Sequence, residues 1–280
     1  MTASSQDLDP WVALIIGNSN WRWACFRGQQ LTQTWTLPPP QQPWTAQAPQ
    51  IWLDWWRLSP ALQHHYQEHG TEFPPLWLAS VVPNQAQLWQ TYPRLRFLTL
   101  ADIPLQQTYA TLGLDRALGL WAAGLIYGWP ILVIDAGTAL TFTGADASPA
   151  LVGGAILPGL GLQVRSLTQF TAALPSIEIP PQLPGRWAQD TSPAIQSGII
   201  YTLMAGLYDF IDDWHQQFSP GRFCITGGDQ AALTRYLQAW CAQKELTPQW
   251  MQGWIQDPHL QLRGIQLLRE QTKALKPPQP

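Results

Sequence analysis

The 280-residue chain is predicted to be an α/β protein, with mixed sheets flanked by helices in two lobes. Three observations predict it. Runs of β-formers alternate with helical runs, the pattern of a parallel or mixed sheet covered by helices. A strand, a glycine turn and a second strand occur twice, as Ala13-Leu14-Ile15-Ile16-Gly17-Asn18-Ser19-Asn20-Trp21-Arg22-Trp23 and as Leu132-Val133-Ile134-Asp135-Ala136-Gly137-Thr138-Ala139-Leu140-Thr141-Phe142. The length exceeds one minimal core and suits two lobes of ordinary size. The lobes are expected over residues 1–112 and 113–272, with a disordered tail over 273–280.

Residues 11–27 read as a β-hairpin, and the Pro/Gln-rich stretch 38–49 as a surface loop. Residues 51–70 form a helix candidate containing His64 and His65, to which no chemistry is assigned. Residues 76–82 are a buried strand ended by Pro83, 88–92 a short helix and 97–100 a further strand. Leu114, Ala117, Leu118, Trp121, Ala122 and Leu125 share one face of a helix over 114–127. Residues 117–134 carry no charge, long enough to suggest a membrane span, but Gly128-Trp129-Pro130 interrupts them, so they read as helix, turn and buried strand. A strand follows over 151–157, helices over 164–173 and 194–213, a strand over 223–226 and a helix over 230–242.

Charged residues make up 12% of the chain, about half the usual ~25%. A net charge of −3 without any Lys/Arg run argues against a nucleic-acid partner. Cys25, Cys224 and Cys241 have neither zinc nor CxxC spacing; Cys25 and Cys224, in apolar strand-like runs, read as buried, reduced thiols, as in a cytoplasmic protein. The first ten residues lack a signal peptide's basic and apolar regions. The 17 tryptophans read as ring area for cores and a subunit interface.

The twin hairpins have the makings of two phosphate cradles, with glycine admitting the backbone close to phosphate and short polar side chains adding donors. They suggest two facing halves with a nucleotide between them. Neither a Walker A nor a GxGxxG pattern is present. The hairpins match at Gly17 and Gly137, but Ile15 falls where Asp135 stands. Asp135 closes an aliphatic strand, where a carboxylate needs a cation, donors or solvent. Gly113-Leu114-Asp115-Arg116 opens a helix. Asp115 there is either a simple cap with Arg116 as its partner, or a base facing a substrate hydroxyl while Arg116 holds an anion. Thr226-Gly227-Gly228-Asp229, between strand and helix, suits an adenine or ribose as well as a plain turn.

These stretches occur together with Gly153-Gly154-Ala155-Ile156-Leu157-Pro158-Gly159, Thr171-Ala172-Ala173-Leu174-Pro175 and Thr191-Ser192-Pro193-Ala194-Ile195-Gln196-Ser197-Gly198. In this order the chain resembles the type III pantothenate kinases of the actin/hexokinase-like ATPase superfamily. The resemblance implies two ribonuclease-H-like (actin-like ATPase) lobes and phosphorylation of pantothenate to 4'-phosphopantothenate, the opening step of coenzyme A synthesis. It implies an ATP site from Ile15, Ile16, Gly17, Asn18, Ser19, Asn20, Trp21, Arg22 and Thr138. It implies a pantothenate site from Tyr109, Gly113, Leu114, Asp115, Arg116 and Thr191, with Asp115 the proton acceptor. Asp135 would bind a monovalent cation, potassium or ammonium, and Mg²⁺ would arrive with ATP. The family is cytoplasmic and homodimeric. One position departs from it. The family's first loop reads Asp-x-Gly-Asn-Thr, and here Ile15 replaces the Asp that helps hold the metal. Either water and phosphate hold the metal with Asp135 nearby, or activity is weakened or lost. Two alternatives follow: a non-catalytic nucleotide-binding regulator of the same fold, or a kinase for another hydroxylated metabolite.

Overall fold

The computed structural model describes residues 10–39, 63 and 73–274. Most of the loop expected over 38–49, the helix expected over 51–70 (Gln63 excepted) with His64 and His65, and most of the tail lie outside the described residues.

The doubled sequence motif is a doubled topology. The first sheet contains β1 (Pro10–Ile16), β2 (Trp21–Arg27), β3 (Gln30–Leu37), β4 (Leu76–Ser80) and β5 (Leu95–Phe97), in the order β3-β2-β1-β4-β5. The second contains β6 (Ile131–Ala136), β7 (Ala139–Ala145), β8 (Leu151–Pro158), β9 (Arg222–Thr226) and β10 (Trp254–Gln256), in the order β10-β9-β6-β7-β8. In each sheet the first three strands pair antiparallel and the last two pair parallel. This repeated mixed sheet, flanked by helices, gives the two α/β lobes expected from the sequence. The longer helices are α1 (Leu114–Tyr127), α2 (Leu160–Phe170), α3 (Thr191–Gln217), α4 (Gln230–Gln243) and α5 (Leu260–Ala274).

The chain forms two compact units. One takes the described residues up to Pro104, Thr111–Leu118 and the described residues from Gln261 onward; the other takes Leu105–Ala110 and Gly119–Leu260. In the first unit β1 is buried along its whole length. Val12, Leu14 and Ile16 face a cluster of Trp21, Trp23, Trp89 and Tyr92. The Trp23 and Trp89 rings meet edge-on at 5.3 Å, and Trp23 stacks on Trp35 at 5.7 Å. Each such pair adds about 0.5–1.5 kcal/mol beyond the area it buries. The alternate residues of β1 face α5. Arg269 lies over the Trp11 ring, Gln266 donates to the Gln29 carbonyl, and Gln261 accepts from Arg22. These helix positions recur at the spacing of one face.

In the second unit β6, β7 and β9 pack against α2, α3 and α4 through Ile134, Phe142, Ile225, Leu160, Met204, Leu207 and Tyr236. The Trp214 ring lies against Gly144 so closely that a Cβ there would come within 2.4 Å of it. The uncharged stretch 117–134 is divided between α1 and β6, as expected. Among the described residues, Thr191–Gln217 is the helix long and apolar enough to cross a membrane, yet Ile200, Met204, Leu207 and Ile211 are buried in the core.

Several boundaries differ from the sequence reading. β5 ends at Phe97, because Asp102 accepts from the Thr99 backbone and hydroxyl and turns the chain into a helical cap. α2 starts at Leu160, with Gly159 as its cap, and stops at Phe170 because Thr171 is extended. α3 starts on the Asp190 cap and runs to Gln217, where Gln216 and Gln217 bond Asp212 and Asp213 one turn back. The strands β3 and β10 and the helix α5 were not anticipated.

Candidate active site

In the first unit the residues expected to bind ATP form one hairpin end. Ile15 pairs across the ladder with Arg22 and Ile16 with Trp21. The Gly17 N–H donates to the Asn20 carbonyl at 3.1 Å and closes the turn, which leaves Asn18, Ser19 and Asn20 exposed. Ile15 is 1% exposed and lies on the α5 side of the sheet with Arg22.

Gly113 immediately precedes α1, whose first turn opens with Leu114, Asp115 and Arg116. Asp115 is half-buried. Its Oδ1 accepts from the Arg116 N–H at 2.8 Å and folds over Gly113, where an added Cβ would sit 2.8 Å from that oxygen. Any side chain at 113 would therefore displace the carboxylate. Asp115 stands inside the helix rather than at the cap, and its Oδ2 accepts from no described residue.

The second unit holds Tyr109, Asp135, Thr138 and Thr191. Asp135 is half-buried near the end of β6, opposite Thr141 on one side and Thr226 on the other. The turn at Gly137-Thr138 is gripped from two directions. Gly159 donates to the Thr138 carbonyl at 2.9 Å, and a Cβ on it would meet the Gly137 carbonyl at 2.1 Å. Gly227, at φ +93, lies so close that a Cβ would be 2.5 Å from Asp135 Oδ1 and from the Ala136 backbone. The Asp229 N–H then donates to the Ala136 carbonyl at 2.9 Å. Tyr109 is 44% exposed, on a segment tied to β8 through the Gln106–Ala150 bridge. Thr191 is exposed as the first residue of α3, its N–H on the Asp190 carboxylate. Asp135, Thr138, Gly159 and Gly227 thus converge, while Tyr109 and Thr191 stand on separate elements.

Two features were missed in the sequence. Asp229 takes the Gly161 N–H and feels Arg165, while burial, the larger effect, raises its carboxyl above the ordinary aspartate range. Asp229 closes the Thr226-Gly227-Gly228-Asp229 stretch, but its burial has no local signal in the sequence. Gln261, bonded to Arg22, belongs to the unanticipated α5 and had no local signal.

The donor chemistry of the second hairpin fits a cation. It offers the Asp135 carboxylate, and the fully buried Thr226 hydroxyl on the neighbouring strand has no hydrogen-bond partner among the described residues. The first hairpin offers aliphatic Ile15 at the matching position. Among the described residues no three His, Cys, Asp or Glu side chains gather into a metal cage. Mg²⁺ retains several waters and binds substrate phosphates, so a Mg²⁺ arriving with ATP does not require a carboxylate at position 15.

The type III pantothenate kinase family model matches residues 12–213. The chain belongs to that family. A type III pantothenate kinase from Synechococcus sp. (strain JA-3-3Ab) is 43% identical over 276 residues, covering 98% of both chains. One from Nostoc sp. (strain PCC 7120 / SAG 25.82 / UTEX 2576) is 45% identical over 274 residues, covering 92% of this chain and 94% of its own. Among solved structures, a protein described as a Baf family transcriptional activator from Campylobacter jejuni superposes with TM-score 0.58 at 19% identity, covering 94% of this chain and all of that one. That likeness speaks to fold alone. Membership makes the protein a kinase of the coenzyme A pathway that uses ATP with a divalent metal. The alternative of a non-catalytic regulator is not favoured.

Proposed function

We propose that this protein transfers the γ-phosphoryl group of ATP to the terminal hydroxyl of pantothenate, with the following division of labour. The observation that carries it is the Asp115 carboxylate, held by one oxygen over Gly113 at the start of α1 with the other oxygen available. Such transfer needs mainly positioning and charge stabilisation. Asp115 orients the pantothenate hydroxyl and takes its proton as the phosphorus–oxygen bond forms. Gly113, Leu114, Arg116, Tyr109 and Thr191 hold the rest of pantothenate, Arg116 against its carboxylate. The first hairpin (15–22) and Thr138 hold the ATP phosphates through backbone N–H groups and hydroxyls. Asp135 holds the monovalent cation, potassium or ammonium. Mg²⁺ bound with ATP supplies charge neutralisation on the phosphates. The enzyme works in the cytoplasm as a homodimer. Exposed Val152 and Ile156 on β8 and Phe170 on α2 support a subunit contact on the second unit.

Mass spectrometry of the product formed from ATP and pantothenate tests this reading. 4'-Phosphopantothenate from the wild type, nearly abolished by Asp115→Asn with ATP binding retained, supports it. Undiminished product from the Asn variant refutes the base assignment.

A further inference from the structure

We infer that Gln261 is a positioning residue that holds Arg22 for the ATP phosphates, so that the first hairpin grips the nucleotide by a guanidinium instead of by a carboxylate-held metal. This rests on the reading that the first hairpin receives ATP.

Residues directly opposite in an antiparallel pair project from the same face, about 4.5–5.5 Å apart at Cβ. Ile15 and Arg22 are such a pair. A carboxylate at 15 would stand beside the guanidinium, and the charges would cancel locally. With Ile15 there, buried and aliphatic, Arg22 has no acidic neighbour across the strand. Its bonded side-chain partner among the described residues is a neutral amide, Gln261 Oε1 at 3.0 Å from Nη1. A neutral acceptor fixes a guanidinium without reducing its charge, and the remaining N–H groups of the fork stay available. Gln261 is itself pinned, being 1% exposed in the first turn of α5. Arg22 therefore stands two residues beyond the Gly17–Asn20 turn, half-buried, with a neutral amide as its bonded side-chain partner among the described residues. A planar fork in a partly dry setting binds phosphate oxygens strongly. An aliphatic residue at 15 and a neutral partner for Arg22 therefore act in the same direction, leaving the guanidinium as the charged side chain of this ladder pair.

Calorimetric titration of the full chain with ATP, in EDTA and then in magnesium, tests the inference. The wild type is expected to keep measurable ATP affinity in EDTA. Arg22→Gln should weaken it about ten- to hundredfold in both buffers. Arg22→Lys should fall between the two. Gln261→Leu should raise KM for ATP severalfold, leaving KM for pantothenate unchanged. The sign of Gln261→Glu separates positioning from scaffolding. A merely structural partner would be improved or unaffected by the new ion pair, whereas the inference requires ATP binding weaker than in Gln261→Leu, because the carboxylate cancels the charge. Normal ATP affinity in folded Arg22→Gln, or in Gln261→Glu, overturns the inference, as does loss of wild-type affinity in EDTA to the Arg22→Gln level. Should Arg22→Gln fail to fold, the Gln261→Glu result decides. Pantothenate-dependent turnover is read separately. If it is absent while the Arg22 effects hold, the kinase reading fails alone; if it is present while they vanish, the inference fails alone.

Discussion

The two hairpins share a topology and a glycine, yet they are built for different work. The second turn is clamped, with Gly159 and Gly227 so close to it that neither tolerates a Cβ. The first turn is closed by its own Gly17–Asn20 hydrogen bond, and a Cβ on Gly17 would meet only the Asn20 carbonyl, at 3.1 Å. The second carries a carboxylate between two threonines; the first carries an aliphatic residue beside an arginine. The two halves share a backbone topology and differ in the charge they carry at the matched position. The lesson is that a matched loop predicts a matched shape and not a matched ligand.

The sharpest way to break this comparison lies in catalysis. Asp115→Asn should lower turnover about a hundredfold or more while ATP still binds; a steady-state assay with a nucleotide titration checks both. Next come the glycines. Gly159→Ala is expected to cost about 2–4 kcal/mol through backbone collision, and Gly227→Ala a similar amount with its positive φ added. Gly17→Ala should cost under about 1 kcal/mol. Urea midpoints give all three, and equal costs in the two hairpins would erase the distinction between clamped and self-closed turns.

Ile15→Asp should lower stability by about 1–3 kcal/mol, since a carboxylate enters a packed face and is only partly repaid by Arg22. A variant as stable as the wild type would mean that the face is wetter than the burial of Ile15 shows. The smallest effect concerns Asp229. Its folded carboxyl holds its proton more tightly than an unfolded aspartate, mainly through burial. The stability this contributes is complete below the ordinary value of 3.8 and is lost as pH rises through the folded value. Asp229→Asn cannot ionise and keeps an acceptor for the Gly161 N–H. Its unfolding free energy relative to wild type should therefore rise as pH climbs from about 4 toward neutrality. Parallel curves would remove the buried-carboxylate account.

Much of the fold was legible because its signals are local. Leu114–Tyr127 shows one apolar face, and β6 and β7 are aliphatic runs around a glycine. What escaped depends on distant partners. β3 alternates polar and apolar residues as a half-exposed strand, and only its pairing with β2 declares it. In α5, Gly264 reads as a breaker, yet it lets the helix approach within reach of the Leu118 carbonyl, where a Cβ would stand 2.7 Å away. The site divided in the same way. Asp115 and Asp135 stood out as carboxylates in unlikely settings, whereas Gln261, 239 residues from Arg22, could be found only in three dimensions. Many of the described tryptophans lie in the cores, Trp11, Trp21, Trp23 and Trp89 in the first unit and Trp214, Trp240 and Trp250 in the second, whereas Trp187 is 89% exposed.

The most direct single measurement is ADP formation with and without pantothenate, in potassium and then in sodium, for the wild type and for Asp135→Asn. The account requires ADP to appear only with pantothenate, faster in potassium, with the potassium advantage lost in the variant. ADP release indifferent to pantothenate, or a potassium effect that survives the loss of the Asp135 charge, would contradict it.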